Sequence, residues 1–218
     1  MLTILLQKFR KYYCWSQLGK ISDGPLDQYY FAYGANVDPS RFQKNKMRFE
    51  CLGNARLKNF ELDFSLPCQF HEMGFGSVRE SQGGEVWGTV YKMDELSLKL
   101  LDILEWVKYG YYRRILAPVS IGGETVQANI YVATCPRADL IPSSEYLNVI
   151  IQNSKKAGHP ENFIERLKAI KHKPKDQFEL NIGFRITRFD KPRPFVKYLK
   201  PLYLKHDKLR QKLINLLP

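Results

Sequence analysis

Apolar and polar side chains alternate with a period of two in several stretches of the chain, and this pattern predicts β-strands. Residues 28–33 form a continuous apolar and aromatic run that is typical of a buried strand. Residues 60–64 alternate as a half-buried strand does. Further strands are predicted at 85–93, 112–121 and 125–133. The pair Gly122-Gly123 separates the last two strands and suits a hairpin turn.

Helical spacing of apolar residues predicts three helices between and after these strands. In the first, the apolar positions recur at helical intervals: Leu96, Leu100, Ile103 and Val107. Asp94 is placed to cap this helix, which is predicted to run to Val107. The other two helices are predicted at 144–154 and 160–171, the latter with Pro160 in its first turn. Strands interspersed with helices predict an α+β fold with a barrel-like sheet.

The two ends of the chain differ from its middle. Residues 1–27 contain a predicted helix at 3–15 and a loop rich in Gly and Asp, so they are predicted to form a helical appendage. Residues 28–175 are the predicted catalytic domain. Residues 176–218 have apolar positions in step with strand and helix periods, which a disordered tail would lack. We therefore expect this C-terminal extension to fold onto the central domain.

The net charge of +12 is concentrated towards the C-terminus. Residues 1–153 hold 17 Lys and Arg against 16 Asp and Glu, whereas residues 154–218 hold 17 against 6. Two interpretations stay open: a basic face in contact with solvent, and a surface that binds an anionic partner. The basic residues follow no nucleic-acid recognition motif, so nucleic acid is not the expected partner.

Cysteine and histidine spacing predicts neither disulfides nor a metal site. The four cysteines are widely scattered, which favours reduced and buried thiols: Cys14, Cys51, Cys68 and Cys135. The four histidines form no HxxH or HExxH pattern, so no protein-bound metal is expected. Basic residues follow the short apolar run at the N-terminus instead of preceding it, unlike in a signal peptide. No run approaches the ~18 apolar residues of a membrane span, and the cytoplasm is the expected compartment.

Two segments carry candidate chemistry. Residues 30–36 (Tyr-Phe-Ala-Tyr-Gly-Ala-Asn) end a predicted strand in a turn that can offer backbone N–H groups to a carboxylate or carbonyl oxygen. An ordinary turn after a buried strand has the same pattern. Glu105 lies four residues after Leu101, beside Leu104 and Trp106, and a carboxylate among apolar neighbours suits a group that takes and returns a proton. A solvent-facing acid at a helix end is the alternative.

Four blocks in unbroken order, the last of them in two parts, resemble the γ-glutamylcyclotransferases. Residues 30–36 are similar to the substrate loop of that family, which most members write Tyr-Gly-Ser-Asn, and residues 84–93 are similar to its Glu-Val-Trp-Gly strand. Residues 101–112 resemble the segment that holds the catalytic glutamate of the family. Residues 142–146 and 167–170 resemble its later part. The resemblance covers roughly residues 28–173.

The resemblance implies a small mixed β-barrel flanked by helices, and an enzyme that cyclises a γ-glutamyl group to 5-oxoproline with release of the free amine. The substrate would be a γ-glutamyl amino acid or amine, and no cofactor is implied. Glu105 would be the general acid and base. The other implied residues would bind the substrate. Four of them form the substrate loop: Tyr33, Gly34, Ala35 and Asn36. The other two are Tyr30 and Tyr146. Both Tyr30 and Tyr146 also suit a core aromatic position.

Ala35 departs from the family pattern, because it replaces the usual serine and removes a hydroxyl from the loop. Retention of Glu105 favours an active enzyme. A non-catalytic member that binds an anionic partner through its basic C-terminal region stays the alternative. No counterpart in the family is found after about residue 175.

Overall fold

Five β-strands close into a barrel in the computed structural model, which describes residues 24–67 and 73–174. The strands are β1 (Gln28–Ala32), β2 (Phe49–Pro67), β3 (Gly74–Met93), β4 (Tyr112–Ile121) and β5 (Glu124–Ala133). Their order around the barrel is β1-β3-β2-β4-β5, and β5 returns to pair in parallel with β1 through Tyr30 and Asn129. All other neighbouring strands are antiparallel. The predicted α+β barrel is confirmed.

Both predicted ends of the chain lie outside the described residues. The helical appendage of residues 1–27 is described only from Gly24 onward, and the extension of residues 176–218 is not described. The division into three segments, the docking of the extension and its binding of an anionic partner therefore stay predictions.

Strands β2 and β3 are much longer than the sequence predicts. They pair over nearly their whole lengths, with register shifts at Cys51/Gly53, Lys58/Phe60 and Asp63/Leu66. At the second shift the backbone of Gly83, with a φ of 75°, donates to the side chain of Asn59, with a φ of 60°. Bulges of this kind bend and twist a strand and so allow a small sheet to close. The bulges interrupt the alternation of apolar and polar residues, so the sequence pattern did not predict that each strand is continuous.

The hairpin between β4 and β5 has the predicted two-residue turn. Gly122 and Gly123 have φ angles of 57° and 89°. Two successive positive φ values are the requirement of the tight turn that matches strand twist, and glycine meets it without a steric penalty. The register from Tyr112 opposite Ala133 to Ile121 opposite Glu124 is unbroken.

Within the described residues, four α-helices flank the barrel: α1 (Ser40–Lys44), α2 (Glu95–Leu104), α3 (Ser144–Ala157) and α4 (Glu161–Lys168). Asp94 caps α2 as predicted, because its side chain accepts a hydrogen bond from the backbone of Ser97 at 2.6 Å. The predicted end of this helix at Val107 is wrong. Trp106 has left-handed backbone angles, which end the helix and lead into a 3₁₀ turn at Val107–Tyr109.

The core is apolar and rich in aromatic rings that meet edge to face. Phe42 packs against Tyr91 and Phe49 with ring centroids 5.1 and 5.4 Å apart, a favoured geometry. Strand β1 lies very close to β3, because a Cβ added to Gly88 would be 2.3 Å from the carbonyl oxygen of Ala32. Gly88 therefore allows β3 to pack closely against the end of β1, just before the turn that follows that strand.

The cysteine prediction is partly wrong. Cys51 and Cys135 are free thiols as expected, but both are exposed rather than buried. Cys14 and Cys68 lie outside the described residues. Residues 24–67 and 73–174 contain no cluster of three or more His, Cys, Asp or Glu side chains that could hold a metal. In the same part of the chain no helix has the length and apolar character required to cross a membrane.

His159 makes the stability of the fold depend on pH. The residue lies between α3 and α4, is 4% exposed and packs 6.0 Å from the ring of Phe163. Burial lowers its pKa from 6.5 to about 4. Between these two values the unfolded chain binds a proton that the folded chain does not, so stability is present above pH 6.5 and is lost as the pH falls towards 4.

We expect His159→Leu to remove this part of the pH dependence, because leucine has no titrating group. Between pH 7 and pH 5, the free energy of unfolding should fall by about 1–2 kcal/mol less in the variant than in the natural protein. Urea denaturation at both pH values measures this, with the exposed His172→Asn as the control. Equal pH dependence in the natural protein and His159→Leu would show that His159 does not titrate as described.

Candidate active site

A cleft beside the end of β1 brings together every residue that the sequence analysis assigned to the site. It opens to solvent at its mouth, and about 400 Å³ of space, open solvent included, lies between its walls. Its lining residues are Tyr30, Tyr33, Gly34, Ala35, Asn36, Arg41, Gly76, Glu105, Tyr112, Tyr131 and Tyr146. The seven predicted residues therefore line one cleft.

Residues 33–37, called here the 33–37 loop, follow β1 and contain a short 3₁₀ helix at Ala35–Val37. The backbone of Val37 donates to the carbonyl of Gly34 at 3.1 Å. The N–H groups of Ala35 and Asn36 begin this helix, so they have no acceptor within it. The turn can therefore offer these two donors to a ligand in the cleft.

Two side chains from other elements bind carbonyl groups of this loop. Asn153 of α3 donates from Nδ2 to the oxygen of Ala35 at 3.1 Å. The hydroxyl of Tyr91 on β3 donates to the oxygen of Val37 at 2.6 Å. These bonds fix the loop through its carbonyl side.

Glu105 is the C-cap residue of α2 and directly follows Leu104, the last residue of that helix. Its backbone N–H donates to the carbonyl of Leu101 at 2.7 Å, and the residue is 6% exposed. Glu105 therefore lies on the side of Leu101, as the sequence predicts. It is not the solvent-facing acid of the alternative interpretation.

The carboxylate of Glu105 is bound from the other side of the cleft. Its Oε1 accepts from Nη1 of Arg41 at 2.5 Å and from Nδ2 of Asn36 at 3.2 Å. Nδ2 of Asn36 is also 3.1 Å from the hydroxyl of Tyr30, and Nη1 of Arg41 is 3.0 Å from Oδ1 of Asn36. A charge-assisted network of this kind positions its members strongly.

The remaining wall of the cleft consists of tyrosine hydroxyls bound to the backbone. The hydroxyl of Tyr146 accepts from the N–H of Gly76 at 3.1 Å, and that of Tyr112 donates to the carbonyl of Gly76 at 2.7 Å. Tyr33 donates to the carbonyl of Tyr131.

Burial keeps the hydroxyls of this wall neutral. It raises the pKa of Tyr146 to about 12. Burial also raises the pKa of Tyr30, with a further contribution from the negative charge of Glu105. At neutral pH the wall therefore offers hydrogen-bonding hydroxyls and no tyrosinate charge.

Four lining residues lie outside the set that the sequence analysis assigned to the site: Arg41, Gly76, Tyr112 and Tyr131. Arg41 comes five residues after Asn36, in a helix of only five residues, so no periodic pattern marks it. Tyr112 and Tyr131 belong to strands that were predicted, but the closure of the barrel decides which of their residues reach the cleft.

Comparisons with known proteins agree with this architecture. The model of the AIG2-like family matches residues 85–167. The gamma-glutamylcyclotransferase of Homo sapiens is 35% identical over 148 residues, which cover 65% of this chain and 77% of the human protein. The chain belongs to the γ-glutamylcyclotransferase family. The resemblance noted from the sequence is thereby confirmed, and with it membership of a family of enzymes.

Two further matches support the family assignment. The gamma-glutamylcyclotransferase of Mus musculus is also 35% identical over 148 residues, covering 65% of this chain and 77% of the mouse protein. A solved structure described as a gamma-glutamyl cyclotransferase has a TM-score of 0.62 and 32% identity, and the match covers 67% of this chain and 89% of that one. The barrel of this γ-glutamylcyclotransferase family member is therefore the family fold.

We expect Asn153→Ala to loosen the 33–37 loop, because it removes the donor that binds the carbonyl of Ala35. Amide hydrogen exchange within the loop should become faster, while the melting temperature should change by only a few degrees. Asn148→Ala is the matched control, since Asn148 is an exposed asparagine of the same helix. Equal exchange rates in both variants would show that Asn153 does not fix the loop.

Proposed function

We propose that the protein cyclises the γ-glutamyl group of a γ-glutamyl amino acid or γ-glutamyl amine to 5-oxoproline and releases the free amine. The observation that supports this most directly is the buried carboxylate of Glu105 in the cleft, with Oε1 3.2 Å from Asn36 of the 33–37 loop. The carboxylate of Glu105 and the residues of the 33–37 loop therefore line the same cleft. Membership of the γ-glutamylcyclotransferase family supports the same reaction.

The reaction requires proton transfer and orientation, both of which the cleft residues can supply. The α-ammonium of the substrate gives a proton to Glu105, and the resulting amine attacks the γ-carbonyl carbon to close a five-membered ring. The bond from that carbon to the leaving nitrogen then breaks as Glu105 returns the proton to that nitrogen. The ring nitrogen passes its second proton through the same carboxylate to the released amine, which leaves as an ammonium. Because the substrate carries its own nucleophile, the proposal includes neither a covalent enzyme intermediate nor a cofactor.

The other residues of the cleft would hold the substrate in a bent conformation. The N–H groups of Ala35 and Asn36 can bind the α-carboxylate or the polarised γ-carbonyl oxygen. Tyr30, Tyr33 and Tyr146 supply neutral hydroxyls and aromatic faces along the rest of the wall. Holding the amine close to the carbonyl converts binding energy into rate, an effect worth several kcal/mol.

Glu105→Gln should lower turnover by at least ~10²-fold, because glutamine keeps the shape of the side chain but cannot accept the proton of the α-ammonium. The measurement is 5-oxoproline release from a panel of γ-glutamyl amino acids, γ-glutamyl amines and glutathione, without added metal or nucleotide. Glu95→Gln is the control, since Glu95 lies in the first turn of the same helix and pairs only with the exposed Lys99 among the described ion pairs. Near-normal turnover of Glu105→Gln would remove Glu105 from the mechanism.

Ala35→Ser should be tolerated and should change substrate preference more than overall rate. The 33–37 loop is bound through the carbonyl of Ala35, which the substitution leaves in place. A new hydroxyl that reaches a substrate oxygen is worth roughly 0.5–1.5 kcal/mol, so kcat/KM should change by no more than about tenfold. The same assay panel measures this. If activity instead rises from nothing to robust turnover, the backbone alone does not suffice and the natural protein is a weakened family member.

A further inference from the structure

Arg41 joins three parts of the cleft through one guanidinium group. Nη1 donates to Oε1 of Glu105 and to Oδ1 of Asn36, at 2.5 and 3.0 Å. Nη2 donates to the backbone carbonyl of Leu104 at 3.1 Å. The side chain of Arg41 is 21% exposed, so the group lies at the wall of the cleft and keeps some contact with solvent.

The contact with Leu104 is informative because of where that residue lies. Leu104 is the last residue of α2, and the last carbonyl groups of a helix have no partner within it. Glu105 follows directly. One planar group therefore binds both the side chain of Glu105 and the backbone immediately before it, which restricts the orientation of the carboxylate as well as its position.

This geometry requires a guanidinium fork and not only a positive charge. The two bonds leave from different nitrogens of Arg41, towards Glu105 and towards the carbonyl of Leu104. A lysine ammonium is a compact point charge on a flexible stem, so it cannot reproduce two divergent donors in fixed positions.

We infer that Arg41 is a positioning residue for the proton transfer: it holds the Glu105 carboxylate in one orientation at the wall of the cleft. The inference rests on the proposed function, since it assumes that Glu105 transfers the proton. It assigns Arg41 no direct contact with the substrate. Its effect should therefore fall on kcat, because a misplaced carboxylate slows the chemical step once the substrate is bound.

The experiment compares Arg41→Lys, Arg41→Gln and Arg41→Ala with the natural protein in the 5-oxoproline assay. We expect all three to lower kcat by roughly 10- to 100-fold, the size of effect that a 1 Å misplacement produces, with KM changed by less than about threefold. Arg56→Gln is the matched control, because Arg56 pairs with Glu85 at 3.0 Å away from the cleft. It should keep normal kcat and KM.

Added ethylguanidine tests the role of the fork without relying on a second substitution. It should restore part of kcat in Arg41→Ala, since it can occupy the space left by the arginine and donate to the same acceptors. It should leave the normal kcat of Arg56→Gln unchanged. Full activity of Arg41→Lys would overturn the inference in favour of charge alone. A rise in KM with unchanged kcat would overturn it in favour of direct substrate binding.

Two further outcomes are distinguishable. A lower melting temperature in Arg41→Ala with no recovery of kcat on adding ethylguanidine would mean that Arg41 serves folding, which overturns the inference. An inactive natural protein across the whole substrate panel would instead refute the proposed function. In that case the thermal melts of the three variants, compared with Arg56→Gln, would still report whether Arg41 stabilises the end of α2.

Discussion

The hydrogen bonds that Asn36 and Arg41 make to Glu105 join two elements that are far apart in the sequence. Asn36 belongs to the turn after β1, whereas Glu105 ends α2. The site exists only when both are in place, because the backbone donors come from the turn and the carboxylate comes from the helix. A buried carboxylate also needs partners to compensate for the loss of water, so the same bonds that build the site make the position of Glu105 tolerable within the fold.

The closed barrel supplies the rigid frame for this contact. Strand β1 lies between β3 and β5, so the turn that follows it starts from a strand that is paired on both edges. The close approach of Gly88 to Ala32 fixes the end of β1 directly before the 33–37 loop. Sites that depend on sub-ångström placement are more precise when regular elements carry them. Here a strand end carries the loop and a helix end carries the acid.

The sequence predicted those parts of the structure that depend on local chemistry. Asp94 as a helix cap and Gly122-Gly123 as a hairpin turn are decided by residues next to one another. The end of α2 was misplaced because the left-handed backbone of Trp106 has no signal in an apolar pattern. The exposure of the two cysteines was missed for a related reason, since Cys51 lies at a bulge of β2 and Cys135 lies just beyond the end of β5.

The site was predictable as a set of segments but not as a network. The turn at residues 30–36 and the acid at Glu105 stood out because they matched a family pattern. Arg41 did not, because a lone arginine in a five-residue helix resembles any surface charge until the fold brings it to Glu105. No periodic pattern in the sequence predicts a tertiary contact of this kind.

The position of Ala35 shows how the loop can vary in chemistry without changing shape. Asn153 and Tyr91 bind the carbonyl groups at positions 35 and 37, so neither anchor depends on the side chain at position 35. Loss of the usual family hydroxyl therefore leaves the path of the backbone and its N–H groups intact. The departure from the family pattern therefore leaves the construction of the site unchanged, and Glu105, Asn36 and Arg41 still form one bonded group.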